Sequence, residues 1–223
     1  MGNTNRTLAV RPVSAPDSRV AASQMACRLC DSSLSNGTLQ YSLAAAPNSA
    51  QELPSQKEFS AHGECTGLDL HCCAGCGHYQ LVSEPVSYWK EVVTAAGLSQ
   101  QMRDFRTNQL NNWVSQHQLS GKLIIEVGCG AGYLLEILSG AGVQATGLEY
   151  GAAQIEAALA AGRVVRKGYI LDSGLHFDRQ FDGFICINVL EHAPEPVRFL
   201  RAIRNICKPG AVGIVEVPNF QKD

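Results

Sequence analysis

Apolar positions along the chain follow two regimes. From about residue 121 onward, short apolar runs alternate with stretches in which apolar residues recur every three or four positions. Leu123-Ile124-Ile125-Glu126-Val127 reads as a short, mostly apolar strand, and 133–139 as the helix after it. Residues 143–149 read as a second strand, 152–161 as an alanine-rich helix ended by Gly162, and 164–170 as a third strand. A fourth strand is expected over 181–188. Val197, Leu200, Ile203 and Ile206 then mark a helix that Lys208-Pro209-Gly210 ends, and 211–217 is the fifth strand. Apolar strands separated by helices predict an α/β fold with a parallel sheet covered on both faces.

Upstream the pattern thins. Ser83-Glu84-Pro85 reads as a helix start: cap, acid and first-turn proline. Val86, Trp89, Val92, Val93 and Ala96 follow at helical spacing up to Gly97. A second helix begins near Ser99, with Met102, Phe105, Leu110, Trp113 and Val114 as its apolar face. Residues 25–84 hold few core formers and much Cys, Gly and Ser, so this stretch needs a staple to fold. Residues 1–24 lack the continuous apolar region of a secretory signal and read as a flexible tail. Arg6 stands where a myristoylation motif wants Ser or Thr. The expected layout is a tail (1–24), a small stapled domain (25–84), a helical linker (85–120) and a core (121–223).

Composition narrows the function classes. The 223 residues are 45% hydrophobic and 17% charged, which excludes global disorder. A net charge of −2 lacks the basic surplus of a phosphate-tracking surface, so nucleic acid is not expected as a partner. Without an apolar run of about 18–20 residues, a membrane is not expected either. The nine cysteines are an odd number and suit a disulfide framework badly. Reduced cytosol with a metal site is the simpler expectation, and with it a cytoplasmic location.

The loop Glu126-Val127-Gly128-Cys129-Gly130-Ala131-Gly132 joins the first strand to its helix. Glycines there let the chain turn sharply and let a ligand approach the main chain. Ligands of such sheets bind at the carboxyl ends of the strands. Glu149 ends the second strand, where a carboxylate can accept hydrogen bonds from both ribose hydroxyls of an adenosine. The dinucleotide pattern G-x-G-x-x-G fails, because Tyr133 stands where its last glycine belongs.

This loop resembles motif I of class I S-adenosylmethionine (SAM)-dependent methyltransferases. The resemblance continues through Phe181-Asp182-Gly183-Phe184-Ile185, Asn188-Val189-Leu190-Glu191-His192, Pro196, Phe199-Leu200 and Lys208-Pro209-Gly210, in the family's order. It implies SAM as cofactor and a Rossmann-like core. By the family's pattern, Glu126, Gly128, Gly130 and Gly132 line the methionine side, and Glu149 holds the ribose. Asn188 and Val189 lie beside the methyl path. The adenine-contacting position falls near Tyr169 and Ile170, with Asp172 the first acid after them. Cys129 fills a small-residue slot of the same loop, where packing is expected of it rather than chemistry. His192 is read as structural at the strand exit, with a role as base the second reading.

Two C-x-x-C pairs, Cys27/Cys30 and Cys73/Cys76, bracket the polar stretch. Four thiolates suit a closed, structural Zn²⁺ site even across a long insertion. Cys72 is the alternative to Cys73, and Cys65, His62, His71 and His78 are nearby spares. Cys27-Arg28-Leu29-Cys30, Pro47-Asn48-Ser49, Cys76-Gly77-His78-Tyr79-Gln80-Leu81 and Val215-Glu216-Val217-Pro218-Asn219-Phe220 resemble sugar C-methyltransferases with an amino-terminal zinc domain. That resemblance implies a small-molecule acceptor, the C-3 of a nucleotide-linked keto-sugar. The family's catalytic His/Tyr/Glu segment lies downstream of strand five, so no catalytic base is assigned in this chain. The alternative is a zinc- and SAM-binding protein without catalysis. The expected fold is therefore α/β: a Rossmann-like SAM-methyltransferase core with five of the family's seven strands, preceded by a zinc-binding domain and a helical linker. An uncovered fifth strand would pair with a second copy, or with a further segment of a longer protein.

Overall fold

The computed structural model describes residues 26–34, 38–41, 68–81, 90 and 97–218. The expected tail lies outside them. So do the expected first helix apart from Lys90, and the spare ligands His62 and Cys65.

Five strands form one parallel sheet: β4 (Leu123–Val127), β5 (Gln144–Glu149), β6 (Val165–Lys167), β7 (Phe181–Ile187) and β8 (Cys207–Glu216). Their order is β6-β5-β4-β7-β8. The chain walks outward from β4 in one direction, then returns to its other side, which opens a crevice at the carboxyl ends of β4 and β7. Helices α2 (Tyr133–Gly140), α3 (Ala152–Ala160) and α4 (Pro196–Ile206) make the crossovers, and α1 (Gln100–Gln116) precedes the sheet. This is the expected Rossmann-like α/β architecture.

Strand alternation sorts the core into two layers. Ile124 and Ile185 pack with Leu110, Trp113 and Leu138 on one face. Ile125, Leu148 and Phe181 pack with Phe199 and Ile203 on the other. Phe199 and Ile203 are one helical turn apart on α4, while Arg198, Arg201 and Arg204 stay at its exposed side. Burial of a side chain such as Phe199 contributes about 1.5–3 kcal/mol. A one-residue slip of β4 would exchange Ile124 with Ile125 between the layers, which pins the register.

Three local expectations are corrected. The third strand, expected over 164–170, is only Val165–Lys167, because Gly168 turns the chain and the Tyr169 N–H donates to Asp172 Oδ2 at 2.7 Å. Lys208-Pro209-Gly210 does not end α4, which stops at Ile206. Those residues form an irregularity inside β8: Phe181 pairs with Cys207 and Gly183 already with Val212. On α1, Leu110, Trp113 and Val114 are buried as expected, but Met102 and Phe105 are 41% and 55% exposed. The Ser99 side chain caps α1 by accepting the Met102 N–H at 3.2 Å.

The amino-terminal described residues form a separate antiparallel sheet of β1 (Thr38–Tyr41), β2 (Leu68–Cys72) and β3 (Tyr79–Leu81). Beside it Cys27, Leu34 and Cys73 make a small buried cluster. Among the described residues no helix is long and apolar enough to cross a membrane.

Candidate functional site

A cavity of about 570 Å³ opens where β4, β5 and β7 end. Gly128, at the end of β4, has φ +75°, and a Cβ there would lie 2.4 Å from Val189 Cγ2. Glycine is thus required both by the left-handed backbone and by the close approach of the turn after β7. Gly132 starts α2 at φ +78°, with Arg163 Cδ 2.9 Å from where a Cβ would stand.

Glu149 holds this loop in shape. Its Oε2 accepts the Gly130 N–H at 2.8 Å, and its Oε1 accepts the N–H groups of Tyr150 and Gly151, each at 2.8 Å. Glu126 lies deeper, 5% exposed, and its Oε2 has no hydrogen-bond partner. Burial and then the charge of Glu149 push the Glu126 carboxyl well above the usual carboxylate range, while Arg163 pulls it the other way. A buried carboxylate oxygen without a partner is costly, so the pocket is shaped for a cationic or hydrogen-bond-donating group.

Of the ten residues expected at the cofactor, nine line this cavity: Glu126, Gly128, Cys129, Gly130, Glu149, Tyr169, Ile170, Asn188 and Val189. Gly132 does not line it and serves instead as the cap of α2. Asn188 takes φ +54°, a conformation that asparagine tolerates better than most residues, and its N–H donates to the Glu216 carbonyl at 2.9 Å. Cys129 is 5% exposed, and burial pushes its thiol far up, which fits packing and not a reactive thiolate. Asp172 lies outside the cavity lining; it accepts the Tyr169 N–H and pairs with Lys90 at 3.6 Å. His192 lines the cavity and is 8% exposed.

Other lining residues were not legible in the sequence. Lys90 Nζ sits 4.3 Å from the Tyr169 ring centre and 5.2 Å from that of Tyr150. Met102 and Arg106 reach the cavity from α1, where helical spacing marked Met102 only as core. Arg106 forms a double hydrogen bond with the Glu216 carboxylate, its Nη1 2.7 Å from Oε2.

The second cluster is formed by the cysteine pairs. The Sγ atoms of Cys27, Cys30, Cys73 and Cys76 all lie within 4.8 Å of one another. Cys27 and Cys76 are 3.6 Å apart, as are Cys30 and Cys73. Tetrahedral bonds of ~2.3 Å place sulfurs roughly 3.8 Å apart, so the quartet matches the demand of Zn²⁺. The two turns are built alike. Cys27 N–H donates to the Ser32 carbonyl and Cys73 N–H to that of His78, both at 2.8 Å. Asp31 and Gly77, each just after its second cysteine, both have positive φ. Cys72 stands apart, with its Sγ near the carbonyls of Cys73 and Gly77. Hydrogen bonds from the Ser32 hydroxyl and backbone hold the Cys30 thiol down to about 6.

The family described as "Methyltransferase domain" matches residues 87–222. A ubiquinone biosynthesis O-methyltransferase of Stutzerimonas stutzeri (strain A1501) is 36% identical over 114 residues, 44% of this chain and 46% of that protein. One from Erwinia tasmaniensis is 34% identical over 122 residues, covering 47% of each. The chain thus spans about half the length of the curated relatives it matches. Among solved structures, a SAM-dependent methyltransferase from Clostridium acetobutylicum ATCC 824 is 18% identical with a TM-score of 0.47. That match covers 54% of this chain and 52% of that one.

Proposed function

This chain belongs to the methyltransferase-domain family, and from that premise we propose that it is a SAM-dependent methyltransferase acting on a small molecule. The observation that carries the cofactor is Glu126 Oε2, a buried carboxylate oxygen without a hydrogen-bond partner at the floor of the glycine-rich pocket. An ammonium group such as that of the methionine moiety would satisfy it. Glu149, already fixed by three main-chain N–H groups, offers its remaining lone pair to a ribose hydroxyl. Tyr169 and Ile170 form the apolar slot for adenine, and Asn188 and Val189 border the methyl path. The bound cofactor supplies a sulfonium methyl group for transfer to a nucleophile.

The acceptor is read as a hydroxyl oxygen of a small carbonyl or aromatic compound. The support is that the similar curated proteins carry the name ubiquinone biosynthesis O-methyltransferase. Such a reaction needs the acceptor positioned in line and its proton removed. His192, which lines the cavity, is the residue proposed to take that proton. A second reading keeps the carbon of a nucleotide-linked keto-sugar as acceptor, supported by the four-cysteine cluster and the sugar C-methyltransferase resemblance. In either case Cys27, Cys30, Cys73 and Cys76 are proposed to hold a structural Zn²⁺, with the domain limits 25–84, 85–120 and 121–223. The outer strand β8 is proposed to be covered by a second copy or a further segment.

The test is transfer of a radiolabelled methyl group from SAM to catechol-type hydroxylated aromatics and to keto-sugar nucleotides. Label on the aromatics supports the first acceptor, and label on the sugar nucleotides the second. SAM bound without transfer to either would favour the reading of a binding protein without catalysis.

A further inference from the structure

Arg163 follows Gly162 at the turn between α3 and β6, remote in sequence from the glycine loop. Its side chain is only 13% exposed. One guanidinium nitrogen donates to the Ala131 carbonyl, inside the loop, and the other reaches Glu136 Oε2 on α2 at 2.6 Å. The same guanidinium lies 5.1 Å from the ring centre of Tyr133, which lines the cavity. Its Cδ fills the space beside Gly132 that a Cβ would need.

We propose that Arg163 is a positioning residue of the cofactor pocket: it ties the glycine loop to α2 and supplies the positive charge that offsets the Glu126–Glu149 pair. This rests on the reading of the pocket as a SAM site. Two carboxylates line one cavity, and Glu126 is nearly out of reach of water. A cation held nearby by two hydrogen bonds and an aromatic face makes the ionised form of Glu126 less costly. The charges and thiols that act electrostatically with Glu126 are Glu149 from β5, Cys129 from the loop, Cys186 from β7 and Arg163 from the turn before β6. Burial pushes the Cys129 and Cys186 thiols up, Cys186 to about 12, so neither adds charge near neutral pH. His192 lines the same cavity from the turn after β7.

The charge and the fork of Arg163 separate by substitution. Arg163→Gln removes the charge, so Glu126 ionises less readily. Arg163→Lys keeps the charge but loses the two-armed geometry. Glu136→Gln weakens the brace on α2 and leaves the charge opposite Glu126 in place.

The experiment is calorimetric titration of the full chain with SAM from pH 5.5 to 9, with circular dichroism to confirm folding. Arg163→Gln is expected to weaken SAM binding at least about tenfold at pH 7, as loss of a charge-assisted hydrogen bond does. It should also move the midpoint of the pH dependence upward. Arg163→Lys should weaken binding with the midpoint unmoved, and this variant carries the test if Arg163→Gln does not fold. Glu136→Gln should change affinity by only a few-fold without a midpoint shift. Wild-type affinity in both Arg163 variants, or an unmoved midpoint in a folded Arg163→Gln, would overturn the inference alone. A wild-type chain that binds no SAM would overturn the pocket reading itself.

Discussion

The Glu149 carboxylate reaches back from the end of β5 to take the Gly130 N–H at 2.8 Å, so the acid expected at the ribose also holds the glycine loop. It accepts two further main-chain N–H groups, those of Tyr150 and Gly151. Removing it leaves three donors without this acceptor, each worth about 1.5–3 kcal/mol in a charge-assisted bond before solvent replaces part of it. Glu149→Ala should therefore lower both thermal stability and SAM affinity, the latter by at least about tenfold. Glu149→Gln keeps an acceptor oxygen and should retain most of the stability. Equal melting temperatures for wild type and Glu149→Ala would show that the three bonds contribute nothing.

Gly128→Ala should abolish SAM binding with little loss of secondary structure. The substitution asks a Cβ to sit 2.4 Å from Val189 Cγ2, at a φ of +75°. Left-handed backbone costs a non-glycine residue roughly 1–2 kcal/mol, and the overlap adds to that. Adding Val189→Ala removes the colliding methyl groups and should restore part of the affinity. A double variant no better than the single one would place the whole effect in the backbone.

The core elements were legible because each was specified locally. β4 is buried on both faces and reads as a run that is apolar except for Glu126, and the glycines after it mark a turn that few other residues can make. Residues whose role comes from packing gave no such signal. Arg106 and Arg163 belong to no motif or apolar pattern, yet both are largely buried and paired with acids far away in sequence. Periodicity placed Met102 and Phe105 on the α1 core face, but Met102 lines the cavity and Phe105 is exposed. The third strand was overread because Tyr169 and Ile170 are apolar for the pocket, not for the sheet.

Zinc content offers an independent check on the amino-terminal region. One metal ion per chain is expected by plasma emission spectroscopy. Cys27→Ser or Cys73→Ser should each lose the metal, whereas Cys72→Ser should keep it, since Cys72 lies outside the four-sulfur cluster. Chelation should unfold this region, because among the described residues its buried apolar cluster is only Cys27, Leu34 and Cys73, too small to stand alone. Metal retained in both Cys27→Ser and Cys73→Ser would refute the assignment.

Stability should also fall on acidification through Asp182. Its Oδ1 pairs with Lys208 at 2.7 Å and its Oδ2 accepts the Leu123 N–H at 3.0 Å. The Lys208 hydrogen bond, then that from Leu123, holds its carboxyl below the usual carboxylate range. A depressed folded-state value stabilises above the unfolded value of about 3.9, and that contribution is lost as pH falls through the folded value. Melting temperature followed from pH 7 down to about 2.5 should drop less steeply in Asp182→Asn below pH 4. Parallel curves for the two proteins would exclude Asp182 from the acid response.

The Arg106–Glu216 pair ties α1 to the end of β8 at the cavity's edge. Arg106 is 7% exposed, whereas Glu216 is 36% exposed. Arg106→Met leaves the acid unpaired at a site where water reaches it, and Glu216→Gln leaves the guanidinium with Gln109 as acceptor but without its counter-charge where water does not reach. The second substitution should therefore be the more destabilising despite its smaller change in shape. Breaking a fully buried pair costs about 3–5 kcal/mol, and the exposure of Glu216 reduces this to roughly 1–3 kcal/mol here. The hydrogen bonds from Arg106 hold the Glu216 carboxyl below its usual range, so the pair keeps its strength above about pH 4.5 and weakens as Glu216 takes up a proton. A double-mutant cycle by urea unfolding at pH 7 and pH 3.5 should give a coupling free energy that is larger at pH 7. A coupling unchanged between the two conditions would mean that shape, not charge, joins α1 to β8.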